Sequence, residues 1–342
     1  MTKNELYNKV IGMLPVTHPK GSDFEGVLRD SLDKYVSYVQ QLNEKEVSDK
    51  SLVMKSLEMT NKRLLSAVDN INKGMHHAAF SDIRAVLKGR NLCVHTLSSG
   101  QIFYRMRSNE KKESFDREDL FHIPYNKRGL VKTQRYSMPG YPCLYLGYSL
   151  IACWEEMHRP SLDNIMFSAF MLTHDAEFLS LTIPSTELWV ANIENYINVI
   201  PLIIACMIHV DDYSNPYKIE YIIPQLITEW FIVHRSNSHH NMLGLEYTSV
   251  HINKDFDFPQ TIYNNLALPV RDFTTLDFCS TLKKAFVLTK PTSEEIERIK
   301  KGSRLSAYSD EGESDVLQDN YRHSLFGELE ESINSYAFEP LL

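Results

Sequence analysis

The stretch RYSMPGYPCLYLGYSLIACWEEM, residues 135–157, decides the fold of this chain. Pro139-Gly140 marks a turn, and Cys143–Leu146 is a short apolar run of the kind found in strands. Leu150–Met157 then begins a helix that carries two adjacent glutamates. A strand followed directly by a helix indicates a mixed domain, of either the α/β or the α+β class.

Two different hydrophobic patterns lie on either side of this stretch. Apolar residues recur at steps of three and four in residues 1–90, as in Leu28, Leu32 and Tyr35, a spacing typical of amphipathic helices. From Asn91 onward, short β-branched and apolar runs alternate with helical stretches and are separated by Gly, Pro and Asn. The sequence therefore predicts an all-helical N-terminal region followed by a mixed domain.

These patterns, with the polar composition of the last residues, predict that the chain has three parts. A helical N-terminal domain with a regulatory or interaction role covers residues 1–90, and a catalytic domain covers 91–300. Residues 301–342 are predicted to form an acidic linker, most polar at 306–315, and a short C-terminal helix at 324–336.

Bulk composition excludes several classes of protein. A net charge of −8 over 342 residues argues against nonspecific electrostatic binding to nucleic acid. The N-terminus, MTKNELYNKV, has no apolar core of a signal peptide, and the longest apolar run, Val199–Val210, is too short to cross a bilayer. Five scattered cysteines show no metal-type spacing and indicate reduced thiols. We therefore expect a soluble cytoplasmic protein without a metal site.

The residues that could carry chemistry begin with FYRMR, residues 103–107. Strand alternation puts Tyr104 on one face and Arg105 and Arg107 on the other. His122 follows in the segment FHIPY. Arg135 stands ten residues before Tyr145, and Glu156 stands eleven residues after it.

Together with three later segments, this ordered set resembles the RES-domain family, named for its Arg, Glu and Ser. The later segments are a helix with the sequence YIIPQ, a strand that ends in a serine, and a strand that begins at an asparagine: Tyr221–Gln225, Gly244–Ser249 and Asn265–Val270. Each piece alone is weak, but five in order over about 170 residues make a specific match.

The resemblance implies a fold and an activity. RES domains are similar to ADP-ribosyltransferases, so it implies an α+β fold with a mixed-sheet core. Characterised members destroy NAD at the nicotinamide glycosidic bond, by phosphorolysis or hydrolysis, and many are toxins of toxin–antitoxin pairs. The implied substrate is NAD, with or without inorganic phosphate, and no resident cofactor is needed. Toxins of such pairs are held inactive by a protein partner, so the resemblance is compatible with an inhibitory partner for this chain. The sequence does not decide whether the chain forms a homo-oligomer.

The chemistry of NAD cleavage suggests a role for each residue of the set. Loss of nicotinamide leaves an oxocarbenium-like ribose, which a carboxylate such as Glu156 would stabilise most in the transition state. Arginine forks suit the pyrophosphate, so Arg105 and Arg135 are assigned to it. Tyr145 would stack on nicotinamide, and Ser249 would hydrogen-bond the ribose or a phosphate. Arg107 and His122 are further candidates for substrate binding.

Several of these residues have plainer interpretations. Arg107 could be an exposed strand arginine, Tyr145 a core tyrosine, and His122 a structural histidine bonded to the backbone. Glu155 and Glu156 project about 100° apart on a helix, so only one faces the pocket, and the family spacing favours Glu156. The segment His209–Asp212 looks metal-like but follows an apolar run as a turn would, so no metal is expected there.

Two other functions remain open at this point. The same bond cleavage with a different acceptor would make the protein a mono-ADP-ribosyltransferase that modifies a macromolecule. Alternatively, the RES-like site is vestigial and the chain acts as an interaction protein through residues 1–90.

Overall fold

The computed structural model describes residues 1–88, 93–111, 113–236, 241–252, 260–272, 277–301 and 321–341. Four helices come first, and strands and helices are interspersed after them. The helices are α1 Lys3–Met13, α2 Phe24–Gln40, α3 Lys50–Asn72, α4 His76–Leu87, α5 Leu150–Glu156, α6 Thr186–Ala191, α7 Ile193–Cys206, α8 Ile222–His234, α9 Ser280–Ala285, α10 Glu294–Lys301 and α11 Leu325–Asn334. The strands are β1 Val94–Leu97, β2 Ile102–Ser108, β3 Cys143–Gly147, β4 Ile165–Leu172, β5 Ala176–Leu181, β6 Gly244–Thr248, β7 Asn264–Pro269, β8 Phe286–Leu288 and β9 Glu339–Pro340. The predicted α+β class is confirmed.

The chain forms two compact units, each assembled from separate segments. Unit 1 comprises Met1–Val94, Thr133–Met138 and Leu179–Asn241, and unit 2 comprises His95–Lys132, Pro139–Phe178 and Met242–Leu342. This grouping differs from a single boundary near residue 90, because later segments of the chain pack with the N-terminal helices.

Unit 1 is a helical bundle. The predicted N-terminal helices are present, and α2 and α3 each begin at an aspartate, Asp23 and Asp49, whose carboxylate accepts backbone N–H groups of the first turn. Helix α7 is continuously apolar from Val199 to Cys206, so this part needs cover on several sides, and the helix packs against α2, α3 and α8. That requirement draws the segment from Leu179 to Asn241 into the same unit as the N-terminus.

Unit 2 contains most of a nine-stranded sheet with the order β1-β5-β6-β7-β3-β2-β4-β8-β9; only Val94 of β1 and Leu179–Leu181 of β5 are grouped with unit 1. The pairs β2–β3, β2–β4, β3–β7 and β6–β7 at its centre are antiparallel. The predicted strands at Phe103–Arg107, Cys143–Leu146 and Gly244–Ser249 correspond to β2, β3 and β6, three of the central strands.

The register of the central strands defines the two faces of this sheet. Tyr104 pairs with Gly147, and Gly147 pairs with Asn265, so these three positions share one face. Helices α5 and α11 pack on that side, which we call the helix face. Phe103 and Arg105 alternate to the opposite face, where Phe103 joins a second apolar cluster.

Two further observations concern membrane-spanning helices and the cysteines. Among the residues that the structure describes, no helix is both long enough and apolar enough to cross a membrane. The five cysteines all lie within the described ranges and are free.

Candidate active site

Helix α5 carries the predicted carboxylate to the helix face of the sheet. The helix starts at Ser149, whose hydroxyl accepts the Ala152 N–H at 3.1 Å. The thiol of Cys153 donates to the Tyr104 carbonyl on β2 at 3.3 Å, so α5 lies directly against the strands. Glu156 is the last residue of α5 and therefore stands at the end of the helix, over the central strands.

Glu156 is held by two neutral donors. The Ser249 hydroxyl donates to Glu156 Oε1 at 2.7 Å, and the Asn265 side-chain amide donates to the same oxygen at 3.0 Å. The backbone N–H of His251 donates to Ser249 Oγ at 2.9 Å, which fixes the direction of the hydroxyl. We call Glu156, Ser249 and Asn265 the carboxylate cluster; its hydrogen bonds fix the direction of the Glu156 carboxylate.

The sheet register explains how residues far apart in sequence meet here. Asn265 on β7 pairs with Tyr247 on β6 and with Gly147 on β3, so its side chain points to the helix face, toward α5. Ser249 directly follows β6, and its N–H donates to the Tyr263 carbonyl. The sheet thus delivers an amide and a hydroxyl to one carboxylate.

The two adjacent glutamates have different surroundings. Glu155 is buried and binds the Arg159 guanidinium through both oxygens, at 2.9 and 3.1 Å. Glu156 faces Ser249 and Asn265 instead. His158 and Arg159, just beyond the helix, have φ values of 60° and 54°, a left-handed conformation that non-glycine residues rarely adopt. This bend closes the ion pair on Glu155, and it leaves Glu156 as the carboxylate of the cluster.

Tyr145 and Arg105 approach this region from different faces of the sheet. Tyr145 pairs with Ala267 and therefore points to the helix face, like Asn265. Arg105 leaves β2 on the opposite face, yet its guanidinium donates to the Tyr145 carbonyl at 2.9 Å. Its Nε is buried and has no hydrogen-bond partner among the described residues. Burial, and secondarily the nearby charge of Arg107, lowers the pKa of Arg105 to about 10.

Arg107 and His122 make contacts away from the carboxylate cluster. Arg107 is exposed, donates to the Asp119 carbonyl and lies over the Phe115 ring. His122 is buried; its Nδ1 donates to the Ile123 carbonyl and its Nε2 accepts the Cys279 N–H. Burial lowers the pKa of His122 to about 4, so the ring is neutral. Because the backbone occupies both ring nitrogens, the geometry favours the structural interpretation of His122 over ligand binding.

Arg135 belongs to unit 1. Its guanidinium donates to the carbonyls of Cys206 and Ile208, both at 3.0 Å, and lies over the Tyr221 ring. Gln225 of the YIIPQ helix donates to the carbonyls of Gln134 and Ser137, so it holds the same short segment. The structure therefore joins Glu156 and Ser249 directly and places Tyr145 on their face. A role for Arg135 in ligand binding stays a prediction.

Sequence reasoning missed Asn265 and the pair His158 and His251. Asn265 carried a signal, because a polar residue opens an otherwise apolar strand in the segment NLALPV. The two histidine rings pack edge to face with centroids 5.1 Å apart, beside the segments that carry Glu156 and Ser249. Nothing in the local sequence marks these histidines, because only the sheet register brings positions 158 and 251 together.

Gly147 sets the distance between α5 and the sheet, and this predicts the effect of a single methyl group. A Cβ at position 147 would lie 2.7 Å from Cys153 Sγ, 3.0 Å from the Ser149 carbonyl oxygen and 3.2 Å from Asn265 Oδ1. We expect Gly147→Ala to lower the free energy of unfolding by about 1–3 kcal/mol, as for an overpacked core. Urea denaturation measures this change.

Gly129→Ala is the matched control, since no atom lies within 4 Å of a Cβ there. Adding Cys153→Ala to Gly147→Ala should recover part of the loss, because it removes the nearest contact. Equal stability of the Gly147→Ala and Gly129→Ala variants would show that α5 is not held this closely.

Comparison with known proteins finds a curated relative with a toxin-like name. Over 311 aligned residues the chain is 30% identical to "Putative toxin YopC" of Bacillus subtilis (strain 168), and the alignment covers 82% of this chain and 68% of that protein. No family model matches the sequence. No solved structure matches it either.

Proposed function

Because this chain belongs to the same family as the YopC protein of Bacillus subtilis, we propose that it is a toxin-like enzyme that cleaves NAD between nicotinamide and ribose. The observation that carries this proposal is the oriented carboxylate of Glu156, with Ser249 and Asn265 both bonded to one of its oxygens. The toxin-like role rests on the relative, and the NAD chemistry rests on the arrangement of residues and on the RES-like sequence pattern.

The reaction needs a carboxylate of this kind. Departure of neutral nicotinamide leaves positive charge spread over the anomeric carbon and the ring oxygen of the ribose. A fixed carboxylate stabilises that charge without reorganising, since its direction is set before the substrate binds. Ser249 and Asn265 supply that fixed direction. Tyr145, on the same face of the sheet, is the proposed aromatic surface for nicotinamide.

The two arginines assigned to the pyrophosphate differ in how many hydrogen bonds their guanidinium groups already donate to the protein. Arg105 makes one hydrogen bond to the Tyr145 carbonyl, and its buried Nε has no partner among the described residues. A guanidinium whose Nε–H has no partner among the described residues suits an anionic ligand. Arg135 already bonds two backbone carbonyls of unit 1. Arg105 is therefore the better supported of the two.

The positioning role of Ser249 predicts a graded effect. Ser249→Ala removes one donor to Glu156 Oε1 and leaves Asn265 in place. A hydrogen bond to a charged group contributes about 1.5–3 kcal/mol, so we expect NAD turnover to fall about 10- to 100-fold. Steady-state kinetics measures the change, and it should appear mainly in kcat, because the carboxylate acts on the transition state.

Ser249→Cys distinguishes positioning from nucleophilic catalysis. A thiol donates weakly and should not restore turnover, whereas a serine nucleophile replaced by cysteine would form a covalent adduct with the substrate. We expect no ribosylated protein after incubation of this variant with NAD. Detection of an adduct at position 249 by mass spectrometry would contradict the positioning role.

Induced expression in bacterial cells tests the proposed function as a whole. Cells that produce the wild-type chain should lose their NAD pool before growth stops, whereas cells that produce Glu156→Ala should keep both. Growth arrest that persists in Glu156→Ala with normal NAD would instead favour an interaction protein with a vestigial site. The proposal also implies an inhibitory protein partner in the producing cell, whose co-expression should preserve NAD.

A further inference from the structure

A cluster of largely buried ligand-type side chains lies in unit 1, which holds Arg135 but not Glu156, Ser249 or Asn265. His18, Asp211 and Glu220 each offer one atom, and these three atoms lie within 4.8 Å of one another. His18 and Glu220 are buried and Asp211 is partly exposed. The metal-like appearance of His209–Asp212 in the sequence is therefore explained in part, because Asp211 belongs to the cluster and its partners come from elsewhere in the chain.

The backbone builds this cluster from two segments. Residues 14–22, after α1, run beside residues 207–209: the Val16 N–H donates to the Met207 carbonyl, and the His209 N–H donates to the Val16 carbonyl. This pairing brings His18 next to the loop that contains Asp211 and the short turn Ile219–Tyr221, which carries Glu220. His18 Nδ1 and Glu220 Oε1 are 2.5 Å apart, and the Asp211 N–H donates to the same oxygen.

Two features point to a bound cation rather than to a closed ion pair. Glu220 is fully buried, and its second oxygen, Oε2, has no hydrogen-bond partner among the described residues. An unsatisfied buried carboxylate oxygen is costly unless a ligand completes it. His18 Nε2 donates to the Ser22 carbonyl at 3.2 Å, so Nδ1 is the nitrogen turned toward the carboxylates. A metal-bound histidine typically has this arrangement, with its other N–H on a backbone carbonyl.

We propose that His18, Asp211 and Glu220 bind one divalent transition-metal ion, of the kind that accepts one imidazole nitrogen and two carboxylate oxygens. Zinc fits this ligand set, with three protein ligands and a water in the fourth position. On binding, the ion takes the place of the direct contact between His18 Nδ1 and Glu220 Oε1. By joining residues 14–22 to the loop after α7, it fastens the N-terminal part of unit 1. From the sequence alone, in contrast, no metal is expected at His209–Asp212.

Metal binding to the full chain tests the proposal without NAD turnover. After treatment with a chelator, the protein is titrated with Co²⁺ and, separately, with Zn²⁺. We expect one ion per chain, a rise in the melting temperature with Zn²⁺, and a Co²⁺ spectrum without a thiolate charge-transfer band, which excludes the five cysteines as ligands.

The variants Asp211→Asn and Asp212→Asn form a matched pair. Asp212 is adjacent but binds Lys20 at 2.6 Å and lies outside the cluster. Asp211→Asn leaves the buried His18–Glu220 pair intact, so it should fold, and it should weaken Zn²⁺ binding at least about tenfold; Asp212→Asn should bind like wild type. No stoichiometric binding by wild type, a thiolate band with Co²⁺, or equal affinities of the two variants would each overturn the proposal.

Discussion

Glu156→Gln should lower NAD turnover by at least about 10²–10³-fold while leaving the fold intact. The substitution keeps the shape of the side chain and an oxygen that can accept from Ser249 and Asn265, but it removes the negative charge. Loss of one well-placed electrostatic group from an active site costs this much because the site is organised around the charge that develops in the transition state. Nicotinamide release by the purified variant measures the loss, and thermal unfolding confirms the fold.

Glu155→Gln is the matched control, on the neighbouring residue of the same helix. Glu155 forms an ion pair with Arg159 through two hydrogen bonds, so the substitution should lower stability. Because Glu155 lies outside the carboxylate cluster, NAD turnover should stay within about tenfold of wild type. If Glu155→Gln were inactive and Glu156→Gln active, the catalytic carboxylate would be Glu155 and not Glu156.

The stability of unit 2 should depend on pH through Glu330 of α11. Glu330 Oε1 accepts the Leu150 N–H, the first of α5, at 2.6 Å and the Tyr321 hydroxyl at 2.5 Å. Burial raises the pKa of Glu330 from 4.5 to about 7. A raised pKa in the folded state means that the contribution to stability is fully present below pH 4.5 and is lost as the pH rises through about 7. The shift corresponds to about 3 kcal/mol.

Glu330→Gln should remove this dependence. Urea unfolding is measured at about pH 4 and at about pH 8, below the unfolded-state pKa of 4.5 and above the folded-state pKa of about 7. The stability of wild type relative to Glu330→Gln should fall by up to about 3 kcal/mol at the higher pH. The exposed neighbour Glu331 provides the control, since Glu331→Gln should follow the wild-type curve. Parallel curves for wild type and Glu330→Gln would show that Glu330 does not titrate in this range.

Much of the local structure could be predicted from the sequence. The strands around Arg105 and Tyr145, the helix that carries Glu156 and the N-terminal helices are all present, because each has a clear hydrophobic period and turn residues at its ends. The C-terminal helix predicted at 324–336 corresponds to α11. The most polar part of the predicted acidic linker, at 306–315, lies outside the described residues.

The parts that could not be predicted depend on long-range packing. Asn265 reaches Glu156 only because three strands align it with Gly147, and no local pattern encodes that register. Arg105 and Tyr145 belong to neighbouring strands but to opposite faces, a relation that follows from how β2 pairs with β3. Glu330 lies 180 residues beyond the start of the helix that it caps. Sequence spacing indicates which residue types are present, whereas the pairing of strands decides which of them meet.

The most direct test of the central claim is product analysis of NAD incubated with the purified wild-type chain, with and without inorganic phosphate. We expect release of nicotinamide, accompanied by ADP-ribose if water is the acceptor or by ADP-ribose-1″-phosphate if phosphate is. Radiolabel transferred from NAD to a protein or nucleic acid would identify a macromolecular acceptor with the same bond cleaved. NAD that remains intact under all of these conditions would contradict the proposed activity.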